Sequence, residues 1–367
     1  MDTGSYQFKS LEEKYGGFRA PAFEISLGGT KLDSSKFHFS SITVDIDAGQ
    51  QAGGCSFTVE AQYDYEGTKW QNSLLDLVQV GESIEIKAGY VEKKAVFFGF
   101  VDDFTINYTA QAAPNITVNG IDAKGFLMNA RDRKYMSEKS TSVVVKEILN
   151  DCVSKGYAKK VKVGTIQRDF SAELIQEDID DYHFLLMLAQ IYNFTFMVVN
   201  GEIIFDNLMK QTKSILELTM GVSLLTFSKT VSLRDQVGKV VVYGIDPKTM
   251  KPISGEADDT SVSGDGKEAG DFARGFNSIV EKEINFFVQT PEECKELAQA
   301  RFDQRAFSFV TGVGRCIGIP ELIPGRYITL KGFDKSAAAE YFISKVTHEF
   351  NEDGYYTTFT VKGAKSK

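Results

Sequence analysis

Apolar and polar residues alternate through the first third of the chain. From Phe23 onward the segments FHFSSITVDID, CSFTVEAQYD, SIEIKAGY, AVFFGFVDDFTINY and NITVNGID put apolar side chains at every second position between Gly, Asn and Asp. That is the period of a strand with one buried face, and it predicts an antiparallel β unit over residues 22–130. Over 140–156 the period lengthens. Val144, Ile148 and Cys152, flanked by Val145 and Leu149, share one helical face, and Gly156 suits the left-handed position after a helix.

The stretch QEDIDDYHFLLMLAQIYNFTFMVVNGEIIF, residues 176–205, carries a second helical set in Phe184, Leu185, Leu188, Ile191 and Tyr192, closed by Asn193. After it, Asn200-Gly201 splits two apolar runs, the signature of a type I′ hairpin. Closing that turn pairs Val198 with Ile203 and Phe196 with Phe205, with Phe194 on the same face and Thr195, Met197 and Ile204 on the other. A helix packed on a hairpin makes a small α+β unit over 131–215.

A second β region covers 216–367, through ELTMGVSLLTFSKTVSLRDQ, KVVVYGID, VEKEINFFV, RYITLKGF, EYFISKVTHEF and YYTTFTVKG. Within it, Thr290, Pro291 and Glu293 form a capping box with proline at the first helical position, predicting a helix over 291–306. Residues 246–274 are polar and Gly-rich and read as a flexible loop, either a solvated connection or a segment that orders against a neighbouring protein, and residues 1–21 as a polar arm awaiting a partner. The expected class is mainly β: two related antiparallel β-barrels flanking the α+β unit.

The two β regions echo each other. GESIEIKAGY (81–90) resembles GRYITLKGF (325–333), FFGFVDDF (97–104) parallels YFISKVTHEF (341–350), and ITVNG (116–120) parallels FTVKG (359–363). Three matches in one order at similar intervals indicate one β fold used twice. Three such chains would present six similar units in a ring.

Composition narrows the function classes. A net charge of −9 and pI near 5.1 argue against a surface that coats nucleic acid, yet suit a channel through which DNA or an acidic effector slides. The first residues show no basic segment leading into an apolar run, and no later stretch has the apolar length of a membrane helix, so synthesis in the bacterial cytoplasm is expected. Cys55, Cys152, Cys294 and Cys316 form no CxxC pair, and His38, His183 and His348 stand far apart. Reduced structural thiols and no metal or cofactor are expected.

Glu177, Asp178, Asp180 and Asp181 could hold a general acid and base, as paired carboxylates do in glycosidases. The stronger reading is a helix start, where acids cap free N–H groups and meet the positive end of the dipole. His183 among them and His348 in a strand lack a nucleophile beside them and read as structural. GGT at 28–30, GQQAGG at 49–54 and GVGRCIG at 312–318 lack the Lys-Ser or Lys-Thr ending of phosphate loops and read as turns. No catalytic, cofactor or metal residue is assigned, and the chain reads as a non-enzyme.

Four stretches carry a family resemblance. They are GFVDDFTINY with ITVNGIDAKGFLM; DIDDYHFLLMLAQIYNFTFMVVNGEIIF; TFSKTVSLRDQVGKVVVYGIDPKTMKPI; and TPEECKELAQARF with IPELIPGRYITLKGF and YFISKVTHEFNEDGYYTTFTV. In this order, across residues 22–362, the chain resembles the phage late control D proteins. These are central baseplate hubs of contractile phage tails and related injection systems, similar to the N-terminal hub of type VI secretion valine-glycine repeat spike proteins. The resemblance implies a homotrimer of tube-like barrels, a pseudo-sixfold symmetry adaptor joining the hexameric tail tube to a trimeric spike within a virion or injection particle. Because the matches stop after YYTTFTV, it implies a separate spike protein, alongside tube-initiator and other baseplate partners. The alternatives are a tail-associated cell-wall hydrolase and a carbohydrate-binding β protein.

Overall fold

The computed structural model describes the chain except residues 1–3, 61–62, 65, 68, 71–73, 110–112, 129–133, 136–139, 167–168, 170–174, 177, 263–265 and 277–278. The chain opens with α1 (Phe8–Lys14), followed by six main strands: β1 (Ala22–Leu27), β2 (His38–Asp47), β3 (Gly54–Glu60), β4 (Ser83–Gly89), β5 (Lys93–Asn107) and β6 (Asn115–Ile121). The predicted alternation holds: Ile42, Val44 and Ile46 of β2 and Ile84 and Ile86 of β4 are buried, while their neighbours face outward.

The middle of the chain contains α2 (Ala123–Leu127), α3 (Thr141–Ser154), β7 (Lys160–Val163), α4 (Asp181–Tyr192), β8 (Thr195–Val199) and β9 (Glu202–Asp206). The rest adds β10 (Ser214–Thr219), β11 (Leu224–Val231), β12 (Lys239–Ile245), β13 (Pro252–Ala257), α5 (Ala269–Phe276), β14 (Val280–Ile284), α6 (Pro291–Ala306), β15 (Val310–Ile317), β16 (Tyr327–Lys331), β17 (Ala339–Asn351) and β18 (Gly354–Gly363).

Both β regions belong to one 13-stranded sheet. The first half has neighbour order β1-β4-β5-β6-β3-β2, and the second β10-β16-β17-β18-β15-β11. Taken strand for strand these are the same arrangement visited in the same chain order. Even the irregularities repeat. A bulge between Val101 and Asp103 of β5 matches one between Ile343 and Lys345 of β17, and a bulge between Phe39 and Ser41 of β2 matches one between Leu224 and Thr226 of β11. The first strands differ, since β1 runs antiparallel to β4 but β10 runs parallel to β16.

The halves meet through an antiparallel ladder between β2 and β17, from Lys345 opposite Asp47 to Phe350 opposite Ile42. The described ladder runs through both regions without closing around either, and one apolar core spans them. Residues 6–15 lie across this core. Leu11 and Tyr15 of the α1 segment are buried, Tyr6 N–H donates to Ile215 O, and the Tyr15 hydroxyl donates to Glu321 Oε1 at 2.7 Å. The arm expected to need a partner finds it in its own chain.

The hairpin β8/β9 has the predicted register, Val198 opposite Ile203 and Phe196 opposite Phe205, around Asn200 and Gly201 at positive φ. Both faces are buried. Phe196, Val198, Ile203 and Phe205 pack on α3 and α4, while Met197 and Ile204 pack towards Val240, Val242 and Leu297. Those last residues belong to a unit the sequence pattern did not separate: β12 pairs β13 and β14 in a sheet of its own, covered by α6. It is inserted between β11 and β15, where the first half has only the short turn after β2.

The segment 246–274 is therefore not simply a flexible loop. It contains β13 and most of α5, and Gly255 lets α6 press onto β13, since a Cβ there would lie 2.2 Å from Lys295 N. Arg301 and Arg305 of α6 reach Glu283 and Glu281 of β14 at 2.8 and 3.0 Å.

Ile86 and Leu330 occupy equivalent places in the two halves, each fully buried. Ile86→Asp or Leu330→Asp should prevent accumulation of soluble folded chain, because an unpaired buried carboxylate costs several kcal/mol, about the stability of a domain. Soluble yield and circular dichroism of each variant check this.

Candidate assembly interface

The acidic cluster resolves into local architecture. Asp180 is the N-cap of α4, and its Oδ1 accepts from His183 N–H at 2.7 Å. The His183 ring, mostly exposed, lies on the same carboxylate through Nδ1. Asp181 is buried in the first turn and accepts from Gln176 Nε2 at 2.8 Å. Asp178 adopts a positive φ on the approach, and Glu177 falls outside the described residues. At the other end Asn193 closes the helix in the left-handed conformation. Thus Asp180 and Asp181 serve the helix end and do not face each other across a substrate space.

Other groups with chemical potential are similarly committed. All four cysteines are free and buried, and burial pushes the Cys152 thiol up to about 11. In α6, Thr290 Oγ1 accepts from Glu293 N–H and Glu293 Oε2 accepts from Gln289 N–H, the capping box displaced by one residue. A cleft between α4, β9 and α6 contains Asp206 and Asp303. Asp206 pairs with Lys162 at 2.9 Å, and Asp303 anchors Thr260 and Ser261. Among the described residues no group of three or more His, Cys, Asp or Glu could hold a metal, and no helix is long and apolar enough to cross a membrane.

His348 sits in the ladder joining the halves, opposite Val44. It is 1% exposed, with Nδ1 sharing hydrogen bonds with the hydroxyls of Tyr355 at 2.9 Å and Thr357 at 3.2 Å. Burial lowers its pKa from 6.5 to about 4, so it stays neutral near pH 7.

A second buried polar group ties the first half to the middle unit. Asp122 caps α2, taking N–H donors from Lys124 at 2.8 Å and Gly53 at 2.7 Å. Burial raises its carboxyl to about 6, against the opposing pull of Lys124. Lys124 is wholly buried, its ammonium donating to Gln51 O at 2.8 Å and Gly49 O at 3.3 Å and lying over the Phe196 ring. The Tyr182 hydroxyl donates to Gln50 O. The stretch 49–54, which reads as a turn, is one, held from beneath by α2 and α4.

What remains uncommitted is strand edge. The outer edge of β11 has no ladder partner among the described residues, and Val222, Leu225 and Val231 near it are 72, 43 and 49% exposed. Strand β5 pairs β4 only as far as Phe100, and β6 from Phe100 to Asn107, so residues 102–107 keep one edge without a ladder partner among the described residues. There Phe104 and Ile106 are half-buried, while Asp102, Asp103, Thr105 and Asn107 are exposed. The one sequence signal for this overhang is that the alternating run 95–108 outlasts both neighbours.

Over residues 19–352 the chain matches the family model of the Alg8 N-terminal domain. It belongs to the Alg8 N-terminal domain family. No curated protein matches it in sequence. Its fold is that of a 43 kDa tail protein of prophage MuSo2 from Shewanella oneidensis, with TM-score 0.70, 16% identity, and coverage of 93% of this chain and 98% of that one. A tail protein from Neisseria meningitidis is similar at TM-score 0.69 and 12% identity, over 94% of this chain and 96% of the other. A component of the E. coli type VI secretion system follows at TM-score 0.57 and 12% identity, over 94% and 78%. The likeness is one of fold, mainly β and of the tail-protein kind; that much of the late control D resemblance stands.

Three outcomes follow from the buried polar groups. Lys124→Met should lower unfolding free energy by about 1–3 kcal/mol, because two carbonyls lose their donor. It should also move the Asp122 titration, followed by NMR, above its value of about 6, since the cation that favours the carboxylate is gone. His348 binds its proton less readily folded than unfolded, so its contribution is present above pH 6.5 and is lost as pH falls towards 4. Urea unfolding should show His348→Gln gaining on the parent by roughly 3 kcal/mol between pH 7 and 4.

Proposed function

We propose that the chain is a structural baseplate hub of a contractile tail or related injection system, of the late control D kind, and not a catalyst. Three chains form a ring in which residues 22–130 and 216–367 each supply a tube-like β unit, the second bearing the α/β insert. The ring adapts sixfold to threefold symmetry, with the hexameric tail tube on one side and a trimeric spike on the other.

The observation that carries this reading is the repetition of one strand order, bulges included, joined edge to edge within a single chain. A unit that already pairs with its own repeat is suited to pairing with further copies. Support also comes from the tail and secretion proteins whose fold the chain shares along nearly its whole length. Open edges, a liability in a lone β protein, are covered in such a ring.

Sedimentation velocity of the purified chain is expected to give a species of three chains across a dilution series. A stable monomer that binds sugars would favour the carbohydrate-binding alternative. Peptidoglycan turnover abolished by Asp180→Asn would favour the hydrolase and overturn the hub.

A further inference from the structure

The internal repeat specifies how two chains join. Matching the ladders places Asp103 to Tyr108, along and just past β5, where Lys345 to Phe350 of β17 lie, and Phe227 to Ser232, along and just past β11, where Ile42 to Asp47 of β2 lie. Within the chain, β17 is paired along this stretch by β2. Among the described residues its counterpart β5 has an open edge there, and the counterpart of β2, which is β11, has an open edge too. Each chain thus presents both halves of an unmade joint whose made version it already contains.

We infer that β11 of one chain pairs antiparallel with residues 103–108, along and just past β5, in a second copy, reproducing the β2–β17 ladder. This rests on the trimeric hub reading and supplies its contact. The register follows from the equivalences: Asp103 opposite Ser232, Phe104 opposite Val231, Thr105 opposite Thr230, Ile106 opposite Lys229 and Asn107 opposite Ser228. A one-residue slip would turn the apolar positions to the wrong face.

Burial agrees with this pairing position by position. In the joint already made, Ile46 is 3% exposed and Val346 0%. In the unmade one, the counterpart Val231 is 49% exposed and Phe104 only half-buried. Ile106, standing where His348 is buried, is likewise half-buried. Charge fits as well. The exposed Asp102 and Asp103 at one end of the β5 overhang come beside the exposed Arg234 just past β11. The contact is head to tail, β11 to β5, so each chain gives one edge and takes one, and three copies close without an open end.

Cysteines test the register, since all native thiols are buried. Thr105 and Thr230 are exposed and directly opposite in the proposed ladder. Oxidation of the Thr105→Cys, Thr230→Cys double variant should give covalent trimers on non-reducing gels. The diagonal control, Thr105→Cys with Ser232→Cys, should give about tenfold less linked chain, because diagonal positions lie beyond disulfide reach. Independently, Val231→Asp, at a site exposed in the single chain, should weaken association at least about tenfold with the monomer still folded. A sedimenting trimer that does not cross-link, or that links better through the diagonal pair, overturns this ladder and leaves the hub standing. A monomer at every concentration overturns both, and linked species longer than three chains overturn ring closure.

Discussion

The ladder between β2 and β17 is the constraint from which the architecture follows. A β unit with an open edge exposes a row of backbone donors and acceptors that water must satisfy and that other strands can capture. Here the last strand of the first half satisfies that edge against the second half. Ile42, Val44 and Ile46 thereby share a core with Val346 and Phe350, which fuses two copies of one fold into a single sheet. His348 lies inside this seam as a buried neutral imidazole, so the seam is one place where acid weakens the fold.

The middle unit and the insert depend on that seam for placement. The hairpin β8/β9 has no wet face: one side is sealed by α3 and α4, the other by β12 and α6. A hairpin covered on both sides by different layers has little freedom to rotate. Lys124, Tyr182 and Asp122 reach from beneath into the turn between β2 and β3, fixing the stack to the first half. These polar groups lie where three elements meet and no apolar packing could satisfy the turn's carbonyls.

Local signals were legible, and assignments among sheets were not. The caps at Asp180 and Thr290, the end at Asn193 and the hairpin register each depend on residues within a few positions of one another. By contrast, KVVVYGID and VEKEINFFV alternate like any strand, and alternation does not say which sheet a strand joins; both went to the insert. Strand β13 was hidden because it is a polar edge strand with Gly255 at its close approach to α6. The α1 segment was hidden because its buried set is little more than Leu11 and Tyr15, too short for a period. The acid cluster, read as a cap, is one; the open edges that form the candidate interface depend on which neighbours stop short, which only the pairing reveals.

The insert occupies the position that a bare turn holds in the other half. Around a ring made from both halves, plain and decorated corners would therefore alternate. A neighbour with six equal subunits would rest on the sheets common to every corner, whereas one with three would engage the α/β layer found at every second corner. In such a ring one backbone plan would thus offer two symmetries, with no flexible joint needed to reconcile them.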